Sequence, residues 1–531
     1  MEIFYLQKKI LKIFLNTQPL HIVNRKYLKT NHYLTIIMKK SIIYLSLVSM
    51  LTIASCTNLD ESVYGVIPKE GFGKTPDQLA ALLGPAYSNL RGYTWGFHNL
   101  EVTTDVGLVP TRGGDWYDGG NWLNYSRHTW STSHGPINDL WGYIYEGGIN
   151  TINQLIPQVA GNTAAISELR AVRAFYYFLA MDNFGNVPVI TETTTGTATT
   201  TPRADVYAFV VKELTESLPN LSADKAYGRM TKDVANTLLA KVYLNAGVYK
   251  GSPEWQKAID ACNAVTSVAR YSLEPTYSAN FAVANEGSKE NIWAIPMDKI
   301  QGGGINFAYR TLHYESQSTY NLAGQPWNGF CTLGEFYNTF DNADVRKKSF
   351  IEGPQLGGDG KTVLKDALGQ PLSFNIAVNK DFMTAADKDY QGAGTRLGKY
   401  EIQKGNTVND QDNDWVMFRL ADVHLMRAEA NFRLGNAAAA LPDLNAVRVR
   451  AGVPAWTVAN VTADNILAER GRELAWESWR RNDLVRFGEF NKVGGKFTSK
   501  FMLEASAKTL LFPIPSQRLA SNPGLKQNPG Y

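Results

Sequence analysis

The sequence predicts an all-α protein, built from stacked helical hairpins and long irregular loops. Three observations support this fold class. Adjacent segments at residues 419–435 and 436–452 have the length and apolar spacing of an antiparallel helical pair. An alanine lies seven residues before a glycine both there and at residues 240–247, which indicates an internal repeat. Helix signals are weak across residues 286–410, where Gly, Asn, Asp and aromatic residues dominate.

The first half of the scaffold is predicted as a succession of helices. Thr75 can cap the first one, and Pro76 suits the first helical position. The predicted helices cover residues 75–90, 137–156, 167–184, 204–218 and 232–246, and Trp255, Ala258, Ile259 and Cys262 form the apolar stripe of a partner for the last one. Hairpins of this kind bury their faces only when they stack, so a right-handed helical scaffold is expected.

The C-terminal hairpin is the clearest single element. Gly435 tolerates a positive φ and ends the first helix, and Asn436 can cap the second. One apolar stripe faces the first helix and consists of Ala440, Leu441, Leu444 and Val447. This arrangement resembles a tetratricopeptide hairpin. Pro442 departs from that pattern, because a proline inside a helix removes a hydrogen bond and predicts a kink.

Residues 466–487 are predicted to form one further helix. Trp476 and Trp479 lie there among many Arg, Glu and Asp side chains. The simplest interpretation is a charged helix on the protein surface, packed on the hairpin.

Several motifs in these helices are specific enough to indicate a family. They are the run Arg419, Asp422, Leu425, Ala428, Glu429 and Ala430, then LNAVRVRAG, ERGRELAWES, NDLVRFG and the terminal NPGY, with RAFYYF and FGNVP upstream. Together they resemble the SusD/RagB family, nutrient-uptake lipoproteins of the outer membrane in Bacteroidetes-type bacteria. The resemblance implies a tetratricopeptide-like helical fold with loops packed on it.

The resemblance also implies a function. A member of this family catches a glycan or oligosaccharide outside the cell and acts as the lid of a SusC-like TonB-dependent transporter. Binding is non-covalent, without turnover and without a cofactor. Ligand loops differ greatly between members, so the family's ligand contacts do not transfer to individual residues of this chain.

The N-terminus carries a targeting signal. Residues 1–37 are interpreted as an extension from a start codon placed too far upstream, and residues 38–55 as a lipoprotein signal peptide with a short apolar core. Ile53-Ala54-Ser55-Cys56 is similar to a lipobox, so Cys56 is the predicted lipidation site. Residues 56–74 are predicted as a tether, residues 75–285 as the N-terminal helical-repeat region, and residues 286–531 as the C-terminal region with the helices of 411–490.

Charge argues against nucleic acid as a partner. Residues 1–55 contain eight of the 53 Lys and Arg residues and one of the 49 Asp and Glu residues. The remainder therefore has 45 basic and 48 acidic residues, a net charge of −3, and offers no basic surface for phosphates.

The other two cysteines carry no chemistry that the sequence can specify. Cys262 has the spacing of a buried helix residue, and Cys331 lies in a predicted loop. A disulfide between them is left open, because no spacing argument supports it.

Two aromatic loops are the candidate ligand site. Five of the twelve tryptophans lie between Trp95 and Trp141, and the glycines of residues 112–122 exclude a helix there. Aromatic rings stack on the C–H faces of sugars, while charged and amide groups bind hydroxyls. The candidates are Arg112, Asp115, Trp116, Tyr117, Asp118 and Trp122 in the first loop, with Tyr309, Tyr314, Trp327 and Asn328 in the second. Trp130 and Trp141 are predicted to lie in the core. The alternative, that tryptophans pin the loops to the scaffold, remains open.

Catalysis and metal binding have little support. Asp115 and Asp118 are too close together in one loop to suggest a glycosidase acid pair, and nucleophile, zinc and phosphate-loop motifs are absent from the sequence. Residues 410–421 begin like a calcium loop, but Trp415 and Ala421 occupy positions that need Gly and Glu, so a solvated loop is the better interpretation. A surface glycoside hydrolase and a helical-repeat binder of peptides or proteins remain the alternative functions.

Overall fold

Helices dominate the computed structural model, which describes residues 73–531. The predicted upstream extension, the signal peptide, Cys56 and nearly all of the tether lie outside the described residues. The helices are α1 Pro76–Ser88, α2 Tyr93–Gly96, α3 Asn121–Arg127, α4 Gly135–Gly142, α5 Asn150–Leu155, α6 Thr163–Phe184, α7 Arg203–Ser217, α8 Lys232–Leu244, α9 Ala246–Lys250, α10 Trp255–Thr266, α11 Phe307–Thr311, α12 Ser316–Tyr320, α13 Gly334–Tyr337, α14 Leu420–Arg433, α15 Ala437–Arg450, α16 Ala463–Leu474, α17 Arg480–Phe487 and α18 Ser516–Ser521.

Strands are short and occur in pairs. They are β1 Gly107–Leu108, β2 Thr111–Arg112, β3 Val187–Pro188, β4 Thr200–Thr201, β5 Asn291–Ile295, β6 Cys331–Thr332, β7 Phe350–Ile351, β8 Gly353–Pro354, β9 Ser373–Phe374, β10 Phe382–Met383, β11 Arg396–Leu397 and β12 Trp415–Arg419. The pairs are β1–β6, β3–β4, β5–β12, β7–β11 and β8–β9, all antiparallel, and β2–β10, which is parallel. Strands β1 and β2 therefore tie the first half of the chain to its second half.

The predicted N-terminal helices are present with small shifts of their ends. Helix α1 begins as predicted, since Thr75 and Gln78 form a reciprocal capping box and Pro76 occupies the first helical position. Helices α4 and α5 are joined by a π-helical segment, Tyr143–Ile149. Gly148 lies there against Tyr176, whose ring atoms are 2.5 Å from the place where a Cβ would stand, so only glycine fits.

Two helical hairpins stack as the repeat predicts. Helix α8 packs against α10, α14 packs against α15, and α10 lies on α14 between the two hairpins. Gly435 has a φ of 82°, and Asn436 caps α15 through the N–H of Ala439, both as predicted. Helix α15 runs unbroken through Pro442. Cys262 lies in the core of this stack, as expected.

Residues 466–487 differ from the prediction in two ways. They form two helices, α16 and α17, because residues 475–479 leave the helical conformation: Trp476 and Ser478 have φ values of 60° and 71°. The charged side chains are also not on the surface. Glu469, Arg470 and Glu473 are buried. A charged pattern looks solvated in sequence, but here most of these charges meet an opposite charge, and distant segments supply many of the partners.

Two clusters of buried ion pairs result. In the first, Glu473 accepts from Arg419, Arg346 and Arg450, and Arg419 also pairs with Glu290 and Glu477. In the second, Asp422 pairs with Lys241 and Arg470, while Asp483 pairs with Arg470 and Arg486 and Glu429 pairs with Arg486. These clusters join α8, α14, α16 and α17, so the family-like charged motifs act as internal braces.

Residues 410–414 are also placed differently from the prediction. The segment is largely buried, and Asp414 accepts hydrogen bonds from the Tyr227 hydroxyl and from the Met297 amide, the latter at 2.7 Å. Its polar side chains bond to neighbouring loops, so it is a buried junction and not a solvated loop. Within residues 73–531, no group of acidic, His and Cys side chains is arranged to hold a metal ion.

Two further observations concern the described part of the chain. Cys262 and Cys331 are both buried and free, so the open question of a disulfide is answered in the negative for this structure. No helix between residues 73 and 531 is long and apolar enough to cross a membrane.

Candidate functional site

The two predicted aromatic loops meet at the surface. The indole Nε1 of Trp116 donates to the carbonyl oxygen of Trp327 at 2.6 Å, and the hydroxyl of Tyr314 donates to Asp115. Between the loops lies an open groove, here called the aromatic cleft, with a volume of about 510 Å³. It is lined by Asp115, Trp116, Asp118, Tyr314, Gln325, Pro326 and Trp327. Tertiary structure thus joins residues that are about 200 positions apart.

Backbone constraints shape both walls of the cleft. Strand β2 pairs with β10, which anchors the start of the first loop. Trp116 and Asp118 in that loop, and Asn328 in the other, have φ values of 60°, 43° and 52°. Such conformations are uncommon for residues other than glycine and persist only where surrounding contacts hold them. The cleft is therefore built on ordered, constrained backbone.

The rear wall is a packed aromatic cluster. Trp116 meets Trp122 and Phe330 edge to face, with ring centroids 5.5 Å away in each case. Gly329 lies flat against Trp116, since a Cβ there would stand 2.3 Å from the indole. Trp116 is only partly exposed for this reason. One part of the Trp116 ring packs against the wall of the cleft and holds the loop on the scaffold, and another part forms cleft surface.

Four of the predicted ligand contacts have buried side chains, so these four are not on the surface of the cleft. Arg112 is 2 % exposed and donates to the carbonyls of Tyr390 and Ala393 at 2.7 Å each. The other three are Trp122, Tyr309 and Asn328, all buried. The structure places Arg112 on β2, Trp122 on α3 and Tyr309 on α11, while Asn328 lies in a loop as predicted. A glycine-rich segment has no periodicity from which to read which side chains face the solvent.

The buried four still shape the site. Trp122 donates its Nε1 to Asp118 at 2.7 Å, which fixes the orientation of that carboxylate. Asn328 donates to the carbonyl of Gln391 and accepts from Arg396. The remaining candidates, Asp115, Trp116, Tyr117, Asp118, Tyr314 and Trp327, are at least partly exposed, and their contact with ligand stays a prediction.

Trp95 is a surface residue that the sequence did not single out. Its indole is 43 % exposed and nearly parallel to that of Trp327, with centroids 6.4 Å apart and an angle of 23° between the rings. The guanidinium of Arg310 lies 3.5 Å from the ring centroid and covers one face. The two indoles extend the aromatic surface beyond the cleft. No local signal marks Trp95, because its neighbour Trp327 is distant in the chain.

Buried cations lie beneath the cleft. Arg112, Arg310 and Arg396 are inaccessible, and burial lowers the pKa of each guanidinium from its ordinary value. Arg112 and Arg396 bind the carbonyl oxygens of residues 390–394. They hold the loop behind the cleft in place.

Two carboxylates at the rim of the cleft can accept hydrogen bonds from the hydroxyl groups of a ligand. Asp115 Oδ2 is bound by the Tyr314 hydroxyl, and Asp118 Oδ2 by the Trp122 indole. Within residues 73–531, neither Oδ1 atom is engaged by a side chain. Burial raises the pKa of Tyr314, and its bond to Asp115 raises it further, so its proton stays on the phenol. Aromatic faces beside oriented acceptors are suited to a polyhydroxylated ring.

Comparison with known proteins identifies similar sequences and matching family models. A family model described as "SusD family" matches residues 289–531, and one described as "Starch-binding associating with outer membrane" matches residues 109–244. The chain is 28% identical over 516 residues to "Starch-binding protein SusD" of Bacteroides thetaiotaomicron, covering 88% of this chain and 90% of that protein. It is 25% identical over 521 residues to "SusD-like protein P2" of Formosa agariphila, covering 91% and 98%.

Solved structures confirm the predicted all-α fold. A SusD superfamily protein from Parabacteroides distasonis superposes with a TM-score of 0.70 at 20% identity, covering 86% of this chain and 100% of that one. A laminarin-binding SusD-like protein superposes with a TM-score of 0.68 at 24% identity, again covering 86% and 100%. These relatives are named for their binding of glycans or for their family. Two family models in different parts of the sequence, and relatives aligned over about nine-tenths of it, show that the chain belongs to the SusD/RagB family.

Proposed function

We propose that this protein binds a glycan or oligosaccharide in the aromatic cleft and passes it to a SusC-like TonB-dependent transporter for uptake. The observation that carries the proposal is the meeting of Trp95, Trp116 and Trp327 with Asp115 and Asp118 on one open surface. Stacking contributes area and orientation, and the carboxylates select the pattern of hydroxyl groups. The names of the relatives, one starch-binding and one laminarin-binding, support a glycan as the ligand class.

Truncating the exposed indoles tests the site. We expect Trp95→Ala and Trp327→Ala each to weaken glycan binding by at least tenfold, about 1.4 kcal/mol, because a stacking face is lost. The measurement is affinity electrophoresis in gels that contain amylopectin, laminarin, xylan or pectin, followed by calorimetric titration. Trp95→Ala should leave the thermal melt nearly unchanged, since Trp95 lies outside the core.

Trp456 offers a matched control. It is also a partly exposed indole with a guanidinium over its ring, that of Arg448 at 4.2 Å, but it packs on the helical hairpin of α14 and α15. Trp456→Ala should therefore leave glycan binding at the wild-type level. Equal binding by wild type, Trp95→Ala and Trp327→Ala would remove the cleft from the site. Retention of no polysaccharide by the wild type would favour a peptide or protein ligand.

We propose that a lipid on Cys56 anchors the protein to the membrane, because Cys56 follows the lipobox-like Ile53-Ala54-Ser55. We expect Cys56→Ala to abolish labelling by fatty acid and to move the protein from the membrane fraction to the soluble fraction, because the anchored thiol is lost. Cys262→Ala is the control and should keep both properties, since Cys262 is buried in the helical stack. A labelled Cys56→Ala variant would contradict the proposed anchor.

The transporter is proposed from the family resemblance and from the helical scaffold, whose stacked hairpins offer extended faces for a protein partner. Outer membranes dissolved in mild detergent should yield the protein together with a TonB-dependent receptor in near-equal amounts. Recovery of the protein alone would instead favour an independent glycan binder.

A further inference from the structure

The exposed aromatic side chains of residues 73–531 are concentrated at one place. Twelve large apolar side chains are well exposed across residues 73–531. Only three of these are aromatic: Trp95, Tyr117 and Phe382. Trp95 adjoins the cleft through Trp327. Tyr117 stands between Trp116 and Asp118, which both line the cleft, and Phe382 contacts Tyr117. All three exposed aromatics are therefore linked to residues that line the same groove, either by ring contact or as neighbours in the chain.

Tyr117 and Phe382 form a distinct pair beside the cleft. They are 48 % and 45 % exposed, and their rings meet edge to face with centroids 6.2 Å apart and an angle of 85°. In this geometry one ring supports the other while a ring face stays open to solvent. A pair that only stabilised the fold would be buried, because exposed aromatic surface contributes little to stability and is characteristic of binding surfaces.

The chain holds this pair in position from two sides. Phe382 lies on β10, where its neighbour Met383 points into the protein, so the alternation of the strand directs Phe382 outward. Strand β10 pairs with β2, from which the loop of Tyr117 departs. Asp381 is bound by Arg127 through two hydrogen bonds of 2.6 and 2.8 Å, which fixes the start of the strand. The surface is built on paired backbone and not on a free loop.

We propose that Tyr117 and Phe382 form a second sugar-stacking surface that extends the aromatic cleft, so that the protein binds several consecutive units of a polysaccharide chain. This proposal rests on the proposed function, because the first surface is the cleft itself. Asp118 follows Tyr117 in the chain and lines the cleft, and it offers Oδ1 to the hydroxyl groups of the units that join the two surfaces. The ligand class that fits is an internal stretch of a glycan and not a single terminal sugar.

Varying the length of the ligand distinguishes the contributions of the two surfaces to binding. The probes are the soluble polysaccharides of the electrophoresis panel and an oligosaccharide series, from disaccharide upward, cut from the one that the wild type retains. The double variant Tyr117→Ala/Phe382→Ala should lose about fivefold to tenfold in affinity for the polysaccharide. Its affinity for the shortest oligosaccharide that binds should equal that of the wild type. Tyr117→Phe keeps the ring and should retain most of the affinity for the polysaccharide.

The control for surface change is Leu434→Ala, which removes an equally exposed apolar side chain at the end of α14 and should alter neither affinity. Wild-type affinity of the double variant for the polysaccharide would overturn the proposal. An equal loss for the shortest oligosaccharide would also overturn it, because the pair would then belong to a single short site. Failure of the proposed function is a different result: Trp95→Ala and Trp327→Ala would bind like the wild type, or no polysaccharide would be retained.

Discussion

Replacing Glu473 by Gln should lower the free energy of unfolding by about 3–5 kcal/mol, the range measured when one partner of a buried ion pair is removed. The Glu473 carboxylate is fully buried. Its Oε1 accepts from Arg419 at 2.5 Å and also from Arg450, and its Oε2 accepts from Arg346 at 2.9 Å. Glutamine has the same shape but replaces an acceptor by a donor, so it leaves guanidinium groups buried without a counter-charge.

The charge balance explains why the effect is large. Burial by itself would raise the pKa of Glu473, but Arg450, Arg419 and Arg346 together lower the pKa well below its ordinary range. The ionised form is therefore the one the fold requires. Denaturation by urea, followed by tryptophan fluorescence, measures the loss.

An exposed pair provides the control. Lys496 and Asp464 are 3.0 Å apart with both side chains largely exposed, so Asp464→Asn should cost no more than about 1 kcal/mol. Comparable losses for Glu473→Gln and Asp464→Asn would show that the buried cluster is not a brace of the fold.

Replacing Glu101 by Gln should stabilise the protein relative to wild type as the pH rises. Glu101 is buried, and burial raises the pKa of its carboxyl group to about 8. The unfolded chain ionises this group near pH 4.3. Its contribution to stability is fully present below that pH and is lost as the pH rises through the folded pKa. Between those limits the loss is about 1.4 kcal/mol per pH unit, or about 4 kcal/mol by pH 7.

The measurement is the difference in unfolding free energy between Glu101→Gln and wild type at several pH values from 4.5 to 8. The difference cancels the titration of other groups and should shift in favour of the variant as pH rises. Gln can keep the bond that Glu101 Oε1 accepts from the Ser478 amide at 2.7 Å. Arg480, paired with Asp105, and Lys399 are the nearest charges, and they are the same in both proteins. A difference independent of pH would contradict the raised pKa.

These buried groups also connect the scaffold to the cleft. Glu101 binds the turn at Ser478, next to Trp476, whose Nε1 donates to Thr332 at 2.7 Å. Trp476 contacts Phe330, and Phe330 is part of the aromatic wall behind Trp116. The family-like motif ERGRELAWES therefore supports the rear wall of the aromatic cleft and does not line the cleft itself.

The amino-acid sequence alone predicts the helical class, the hairpins, the family and the two aromatic segments that meet at the cleft. Each of these depends on local pattern: apolar spacing marked α14 and α15, Gly435 and Asn436 marked the connection between them, and paired glycines with aromatics marked the first loop. Local chemistry is enough for such features, because helix periodicity and turn conformation are set by neighbouring residues.

Which side chains of those segments meet the solvent, and which charges are buried, depends on contacts between distant parts of the chain. Arg112 turned inward because carbonyls of residues 390–394, far away in sequence, complete its hydrogen bonds. Trp95 lies beside the cleft because the fold brings Trp327, which lines the cleft, next to it. Charged side chains of α16 and α17 are buried because distant residues supply the opposite charge, as Arg419 does for Glu473. A polar group can be buried only where a hydrogen bond or an ion pair offsets the free energy of desolvation. The partner in that interaction is set by the fold and not by adjacent residues.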